Sequence, residues 1–572
     1  MADAIVLEKE NSLKQVELAK ELIRLLELHR ARRKRHEERW REVAEYILPD
    51  REILLLGIDK KGMSTHSNVY NDIGTHCLHV WADGILGNTA SPTSRWARYK
   101  MRQRELNEIS EVKQYLQDYE EQMYDEFQGG GLYKALGIYL RDLGSIGTAS
   151  CFPGDQPGKQ YPFYKVFHPV EIFIGENEQG EIDIELREYY ISLRNLVDYF
   201  GEEAVGEKRV KQAEKSPLSE VRCLWALLPR QERIEGLLHY LHKPIASFYV
   251  DIEMGRMLRE EGFDEMPIIT ARCIQDGGEE YGRSPGSNAI RDTKMASGMS
   301  MATILGAQRI VDPAMDAPIE RRGQLSKNPG AWNWYDKQYP AGSIYPIHQG
   351  IQLPAGFQLL ERLEENVKRH YFYDIFLRLL MERKQQTATE IEEVLGEKAI
   401  ILAPLVNQYL TEGPKRIIER TASIAGRAGR LPAAPQVLVD WVADNPRKLK
   451  YGMEVVFIGP LAVAQQRVFK RHGIVGFLED LRMVPSQEAV MDRPKHDEIV
   501  EDLAHAHGVP EKDIRTDEEV SKIREQRVKI QQAMQQAELA KSGAEAGSKM
   551  SKRPEAGSPL EAMMAAGGRA GA

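Results

Sequence analysis

Between Val311 and Pro354 the sequence carries six prolines, Pro313, Pro318, Pro329, Pro340, Pro346 and Pro354, among five large aromatics, Trp332, Trp334, Tyr335, Tyr339 and Tyr345. Proline removes a helical donor and clashes with the preceding turn, so no long helix crosses this stretch. So many aromatics argue against a disordered linker, which leaves a compact loop-and-strand module. On both sides the sequence is written for long helix. Upstream, the turn cluster Tyr281-Gly282-Arg283-Ser284-Pro285-Gly286 feeds a helix of about 287–309, in which Met295, Met299, Met301, Ala296, Ala302, Ala307, Gly298 and Gly306 permit close, adaptable contacts. Downstream, Phe357, Leu360, Leu363, Val367, Tyr371, Ile375 and Leu379 recur at helical spacing over about 356–382. That is a helix of about 40 Å. The chain goes out along one helix, turns through the module and comes back along another.

The returning helix runs into a short basic and polar break, Arg383 to Thr389, inside the segment Leu377 to Glu397. Helix then resumes through Ile391, Val394, Leu395, Ile401, Leu402, Leu405, Val406, Tyr409 and Leu410, with Pro404 and Gly413-Pro414 placed to kink or restart it. Two helices meeting at a polar hinge resemble a moving part more than an active site.

At 572 residues the chain is too long for one core, and two to four packed regions are expected. Residues 13–48 read as a charged helix whose apolar face is Leu13, Val16, Leu18, Leu22, Leu25 and Leu28, ended by Pro49; a second helix, Val69 to Leu86, carries Ile73, Cys77, Val80, Trp81 and Ile85. Helices of about 110–127 and 132–143 flank Gly129-Gly130-Gly131. From about 160 to 275 the period changes: Ile182, Ile184 and Leu186 alternate with Asp183, Glu185 and Arg187 after the turn Glu178-Gln179-Gly180, and strands are expected at 222–228, 237–250 and 266–274. One more strand is expected at 451–458 and a helix opening at Leu461 to Phe469. A capping box at Thr516 to Glu519 leads a polar helix to about 541, and the Gly/Ala/Ser-rich remainder reads as disordered. The fold class is α+β, predominantly helical.

Catalytic motifs are mostly absent, which speaks to local motifs and not to a site assembled from distant residues. The longest apolar runs, such as Ala399 to Val406, are too short to cross a bilayer, and the N-terminus lacks a signal-peptide pattern. The four cysteines have no CxxC spacing, which disfavours a zinc site or a disulfide framework. The formal charge of −9 comes from 77 basic and 86 acidic residues well mixed along the chain, so any DNA contact should be local or loose. There is no GxxxxGK[ST] loop, no GxSxG and no HExxH. Gly129 to Gly137 joins two helices, whereas a dinucleotide fingerprint follows a strand. His76 and His79 lie one helical turn apart near Asp72, but no further ligand has motif spacing, so a polar helix flank is the simpler reading; His505 and His507 sit in a charged segment and read alike. No catalytic, cofactor or metal residue is assigned.

Four segments, in order, carry a resemblance: Trp40 to Pro49 (WREVAEYILP); Asn71 to Trp96 with Gly74, Ser91-Pro92 and Trp96; Tyr281 to Pro285 (YGRSP); and Thr387 to Glu390 (TATE) followed by Gly459-Pro460-Leu461-Ala462. From about Arg39 to Gln532 the chain resembles the head-to-tail connector, or portal, proteins of short-tailed bacteriophages. The resemblance implies a homo-oligomeric ring, a dodecamer, at one capsid vertex of the virion, assembled in the host cytoplasm. Double-stranded DNA would enter and leave through its channel. A separate terminase, through its large subunit, would supply ATP hydrolysis, which fits the missing phosphate loop; tail adaptor, capsid and scaffolding proteins would be the other partners, with no membrane.

Mapped onto this chain, the resemblance implies a wing over 1–280 and again over 390–473, stem helices over 281–310 and 356–381, a clip over 311–355, a tunnel loop over 382–389, a crown over 474–541 and a disordered tail over 542–572. In the tunnel loop, twelve copies of Arg383 and Lys384 would make a narrow basic ring, with Gln385, Gln386, Thr387 and Thr389 offering neutral hydrogen bonds to phosphate. An acidic assembly, formally 12 × (−9) = −108, would discourage DNA sticking elsewhere. Arg383 and Lys384 also suit a helix C-terminus, where positive charge favours the dipole. Trp332, Trp334 and Tyr335 serve a docking partner or, more simply, the packing of the clip or of neighbouring subunits. YGRSP reads as a rigid turn opening the stem, and TATE as a helix start capped by Thr387 or Thr389. Two rival functions remain: another phage structural ring, such as a tail adaptor or capsid-associated scaffold, and a DNA-processing enzyme, which would need a metal-binding carboxylate cluster.

Overall fold

A computed structural model describes residues 2–49, 69–156, 158–234, 239–311, 315–316, 345–346, 353–376, 401–444, 452–459, 519–530, 532–534 and 536. The chain divides into two compact units, Met1–Lys470 and Arg471–Ala572. In the second, the described residues 519–530 are helical and largely exposed, as the polar helix after the capping box requires.

Helix α1, Ala2–Tyr46, buries Ala19, Leu22, Leu26, His29, Arg33, Trp40 and Val43, and Ile47 is buried in the turn that follows it. These fall at spacings of three, four or, between Arg33 and Trp40, seven, one stripe of a helix. The expected leucine face is corrected: Val16 and Leu28 are exposed, and the stripe passes instead through His29 and Arg33. Polar groups can lie there because they find partners. The Arg33 guanidinium donates to the carbonyls of Val170 (2.6 Å) and Ile172 (3.0 Å) and to Glu37 (2.9 Å), and sits 3.6 Å from the centre of the Phe173 ring. One helix thereby reaches three apolar clusters, through Leu22 and Leu26, through Trp40, and through Val43.

The largest cluster gathers α2 (Ile73–Thr89), α4 (Ser110–Gly130) and α5 (Leu132–Ser145) around Trp81, Phe127, Leu140 and Leu143. Between them stand β1 (Ala97–Met101) and the short α3 (Arg104–Asn107). A three-stranded antiparallel sheet, β2 (Thr148–Gly154) flanked by β3 (Phe163–Phe167) and β9 (Ile269–Arg272), leans on this cluster. A second sheet is a five-stranded antiparallel meander: β4 (Ile172–Glu176), β5 (Ile182–Ser192), β6 (Glu220–Pro229), β7 (Ile245–Asp251) and β8 (Arg256–Phe263). α1 covers one face of it, and α6 (Leu193–Phe200), α7 (Glu202–Val205) and α8 (Glu207–Lys215) cover much of the other.

Cover on both faces explains one departure from expectation. Glu185, placed outward by the alternation of β5, is 1% exposed, because its face meets the three-stranded sheet and not water. The strand expected over 237–250 begins only at Ile245; residues 240–242 form a 3-10 turn.

Helix α9, Pro285–Val311, is followed by a two-residue pairing of β10 (Met315–Asp316) with β11 (Tyr345–Pro346) and by α10, Leu353–His370, which returns along α9. The helix expected over 356–382 is corrected from continuous to broken: α10 ends at His370, the chain turns at Tyr371-Phe372, residues 373–376 are helical again, and 377–382 lie outside the described residues. A helix over residues 401–412 (α11) stops at Gly413; Pro414 opens α12 (Pro414–Arg427), and α13 (Gln436–Asp444) follows.

The last described strand of this unit, β12 (Met453–Phe457), pairs antiparallel with β1 in the register Ala97↔Phe457 to Met101↔Met453. The outer edge of β1 is closed by side chains. The Tyr124 hydroxyl accepts from the Trp96 and Ala97 amides (2.7 and 2.9 Å), and the Asn107 amide group bonds both the N–H (2.8 Å) and the carbonyl (2.7 Å) of Met101. The expected helix from Leu461 lies outside the described residues.

Candidate functional site

The tunnel-loop residues Arg383, Lys384, Gln385, Gln386, Thr387 and Thr389, and the clip residues Trp332, Trp334 and Tyr335, lie outside the described residues. The structure does describe residues that flank both segments.

The root of the α9–α10 pair is the YGRSP turn, and each residue of it is fixed. Tyr281 packs edge-on against Trp40 (5.3 Å between ring centres), and its hydroxyl accepts from the Ile174 amide at 3.2 Å. Burial pushes its phenol up to about 12. Arg283 binds Glu279 (2.6 Å) and Asp276 (3.0 Å), and its backbone bridges Ile274. Ser284 caps α9: the Ser287 amide donates to its Oγ at 2.8 Å, and that Oγ donates to the Ser145 carbonyl. The expectation of a rigid turn describes this segment well.

Beyond Ser300 none of the described α9 side chains is buried. Met301, Ile304, Leu305, Ile310 and Val311 are exposed, as are Met295 and, on α10, Phe357 and Leu359. Open apolar surface gathered on two packed helices marks an interaction surface.

The described residues on either side of the segment 377–400 are packed into the main cluster. On its N-terminal side, Tyr371 and Phe376 are buried in the main cluster, and the Tyr373 hydroxyl lies 2.8 Å from His76 Nε2. On its C-terminal side, α11 buries Leu402, Leu405, Val406 and Tyr409 and presents Glu412 to a buried cation that the sequence did not mark. The Arg272 guanidinium binds Glu412 (2.6 Å), the Gly180 carbonyl (3.0 Å) and Glu176, while the Arg272 amide donates to Glu412 at 2.8 Å. One side chain thus ties β9, the β4–β5 hairpin and α11 together. An arginine in the apolar strand Ile269–Arg272 was the available signal.

Beside this clamp, Glu185 is enclosed with Thr270, whose hydroxyl pairs with Ser150 at 2.7 Å. Burial pushes the Glu185 carboxyl up to about 8; the Thr270 hydroxyl and the charge of Arg416 act in the other direction. The cysteines are buried and free, and burial pushes the thiols of Cys77, Cys151 and Cys223 up to about 12, which suits packing and not reactivity. Among the described residues no group of three or more His, Cys, Asp or Glu side chains could hold a metal ion, and no helix is long and apolar enough to cross a membrane.

Comparison with known proteins gives one consistent picture. The family described as "Bacteriophage head to tail connecting protein" matches residues 19–515. The "Probable portal protein" of Bordetella phage BPP-1 is 27% identical over 522 residues, covering 89% of this chain and 91% of that one. The "Portal protein" of Salmonella phage epsilon15 is 24% identical over 524 residues, with the same coverages. A solved assembly, the neck of an empty GTA particle, aligns with 78% of this chain at 10% identity and a TM-score of 0.34, too remote to carry an argument.

Proposed function

Because this chain belongs to the bacteriophage head-to-tail connecting protein family, we propose that it forms the ring at one vertex of a phage capsid through which double-stranded DNA is packaged and later ejected. Its work as a portal, or head-to-tail connector, is structural. The observation that carries this reading is the family match across residues 19–515, with two phage portal relatives aligned over nine-tenths of their own length.

The finer assignments follow the anatomy. α9 and α10 are the stem, and their exposed apolar residues meet a neighbouring copy, closing a ring that we take to be a dodecamer. Residues 311–355 are the clip, where the terminase large subunit and then tail adaptor proteins dock, with Trp332, Trp334 and Tyr335 at partner or subunit contacts. The α+β region with α11 to α13 and β12 is the wing facing capsid and scaffolding proteins, and residues 474–541 are the crown. Assembly takes place in the host cytoplasm. Residues 382–389 are the tunnel loop at the channel, flanked by the packed residues described above; Arg383 and Lys384 supply sparse phosphate contacts, and Gln385, Gln386, Thr387 and Thr389 supply neutral ones, so that DNA slides.

Arg383→Ala with Lys384→Ala is expected to lower packaging or DNA retention while leaving rings intact. Unchanged packaging would remove the DNA contact from those residues. An averaged end-on electron-microscope view of the purified protein counts the subunits, and a native mass that stays monomeric at micromolar concentration would overturn the ring.

A further inference from the structure

The break that ends α10 contains none of the residues that usually break a helix. The chain there reads Arg369-His370-Tyr371-Phe372-Tyr373-Asp374-Ile375-Phe376, with no glycine or proline, and the apolar period Leu363, Val367, Tyr371, Ile375 runs straight through it. Yet Phe372 has φ +53°, and it is the one residue other than glycine with positive φ among the described residues. For a bulky aromatic that left-handed backbone is disfavoured on the order of tenfold. Strain of this kind persists only where surrounding contacts impose it.

Three aromatic contacts impose the bend. Tyr371 is wholly buried, and its hydroxyl lies 2.9 Å from where a Cβ on Gly286 would stand, so it fits only against a glycine at the root of α9. The Phe376 ring occupies the space of the Cβ that Gly84 of α2 lacks. The Tyr373 hydroxyl pairs with His76, also on α2. In a straight helix, at about 100° per residue, positions 373 and 376 would point roughly 200° and 140° away from 371. A straight helix therefore cannot keep Tyr371 on α9 while Tyr373 and Phe376 stay on α2. The two arrangements exclude each other.

We propose that Tyr371-Phe372 is a switchable kink: the chain holds α10 bent through the Tyr371, Tyr373 and Phe376 contacts, and straightens into one helix from Leu353 to Phe376 when the α2 contacts are released. The inference rests on the tunnel-loop reading of residues 382–389 only for its consequence, which is that the start of that loop is set by the state of the kink. Both states come from one sequence whose periodicity favours the straight form and whose glycine pockets favour the bent one, the condition for a two-state element.

The test places spin labels at Arg362→Cys and Asp374→Cys, both exposed, in full-length chain diluted with unlabelled chain; the four native cysteines are buried and take no label. A straight helix separates the labelled positions by about 18 Å along the axis, and the bend shortens that distance. Wild type is expected to show mainly the short distance. Phe372→Val, which suits left-handed backbone less, is expected to raise the long population severalfold, and Phe372→Gly to abolish it. His76→Ala is expected to raise it too, and adding Phe372→Gly to His76→Ala to reverse that rise. A single distance unchanged across all four variants would overturn the proposal, as would a long population in Phe372→Gly. These distances do not depend on DNA, so a failed packaging test at Arg383 and Lys384 and a failed kink test are separate results.

Discussion

Two buried ionisable residues lie at or beside the joint between the α+β region and α11, and they respond to substitution in different ways. Arg272 has 2% of its side chain exposed and holds two glutamates and a carbonyl. Taking one partner from a buried ion pair leaves the other charges uncompensated, so Arg272→Ala should cost about 3–5 kcal/mol. A urea unfolding midpoint read against Arg427→Ala, a half-exposed surface arginine, measures this. Glu185 acts through its proton. Its carboxyl titrates at about 8 in the folded chain against an ordinary 4.5, so between those values the folded state holds a proton that the unfolded state has released. Stability therefore falls as pH rises from about 4.5 to about 8 and then levels off. Glu185→Gln keeps the neutral form at every pH: its melting temperature should match wild type near pH 4.5 and exceed it by several degrees above pH 8. Parallel curves for the two proteins across that window would show that Glu185 does not carry the slope.

At the scale of elements, tight approach decides what each helix tolerates. On α5 a Cβ added at Gly144 would stand 2.6 Å from the Trp81 ring and 2.8 Å from Leu78, whereas one added at Gly137 meets nothing within 4 Å. Gly144→Ala should destabilise by about 1–3 kcal/mol through overpacking, and Gly137→Ala on the same helix should be neutral or stabilise by up to about 1 kcal/mol through helix propensity. Equal effects in thermal melts would sink the packing argument. The same contrast explains what was legible beforehand. The sequence pattern located α2, α4, α5, α9 and the strand β12 to within a few residues at each end, because clear stops or turn clusters bound them. It misplaced the stripe of α1, since His29 and Arg33 are buried through partners that lie more than a hundred residues away in sequence. It put Glu185 outward because alternation assumes one wet face. It ran the returning helix past His370 because the bend there is imposed by pockets on α2 and α9, not by any local breaker. YGRSP was readable as a turn from its own chemistry, while the Arg272 clamp, made wholly of distant partners, was not. The tunnel-loop and clip residues stood out in the sequence, took their roles from the resemblance, and lie outside the described residues.

For the whole molecule, the exposed apolar run Met301, Ile304, Leu305, Ile310 and Val311 belongs to assembly in the reading proposed above. Ile304→Asp with Leu305→Asp should leave a folded chain, with unchanged far-ultraviolet circular dichroism, that fails to form rings in native mass measurements. Rings at wild-type yield would place the contact elsewhere. The pairing of β1 with β12 has a further consequence in time. Met101 waits for Met453, 352 positions later by subtraction of the paired numbers, so about four-fifths of the chain must leave the ribosome before β1 receives its partner. During that interval Tyr124 and Asn107, made soon after β1, already guard one edge of the strand, and only the edge reserved for β12 stays open to strangers. Nascent chains stalled before residue 453 would therefore be the ones that need a chaperone most.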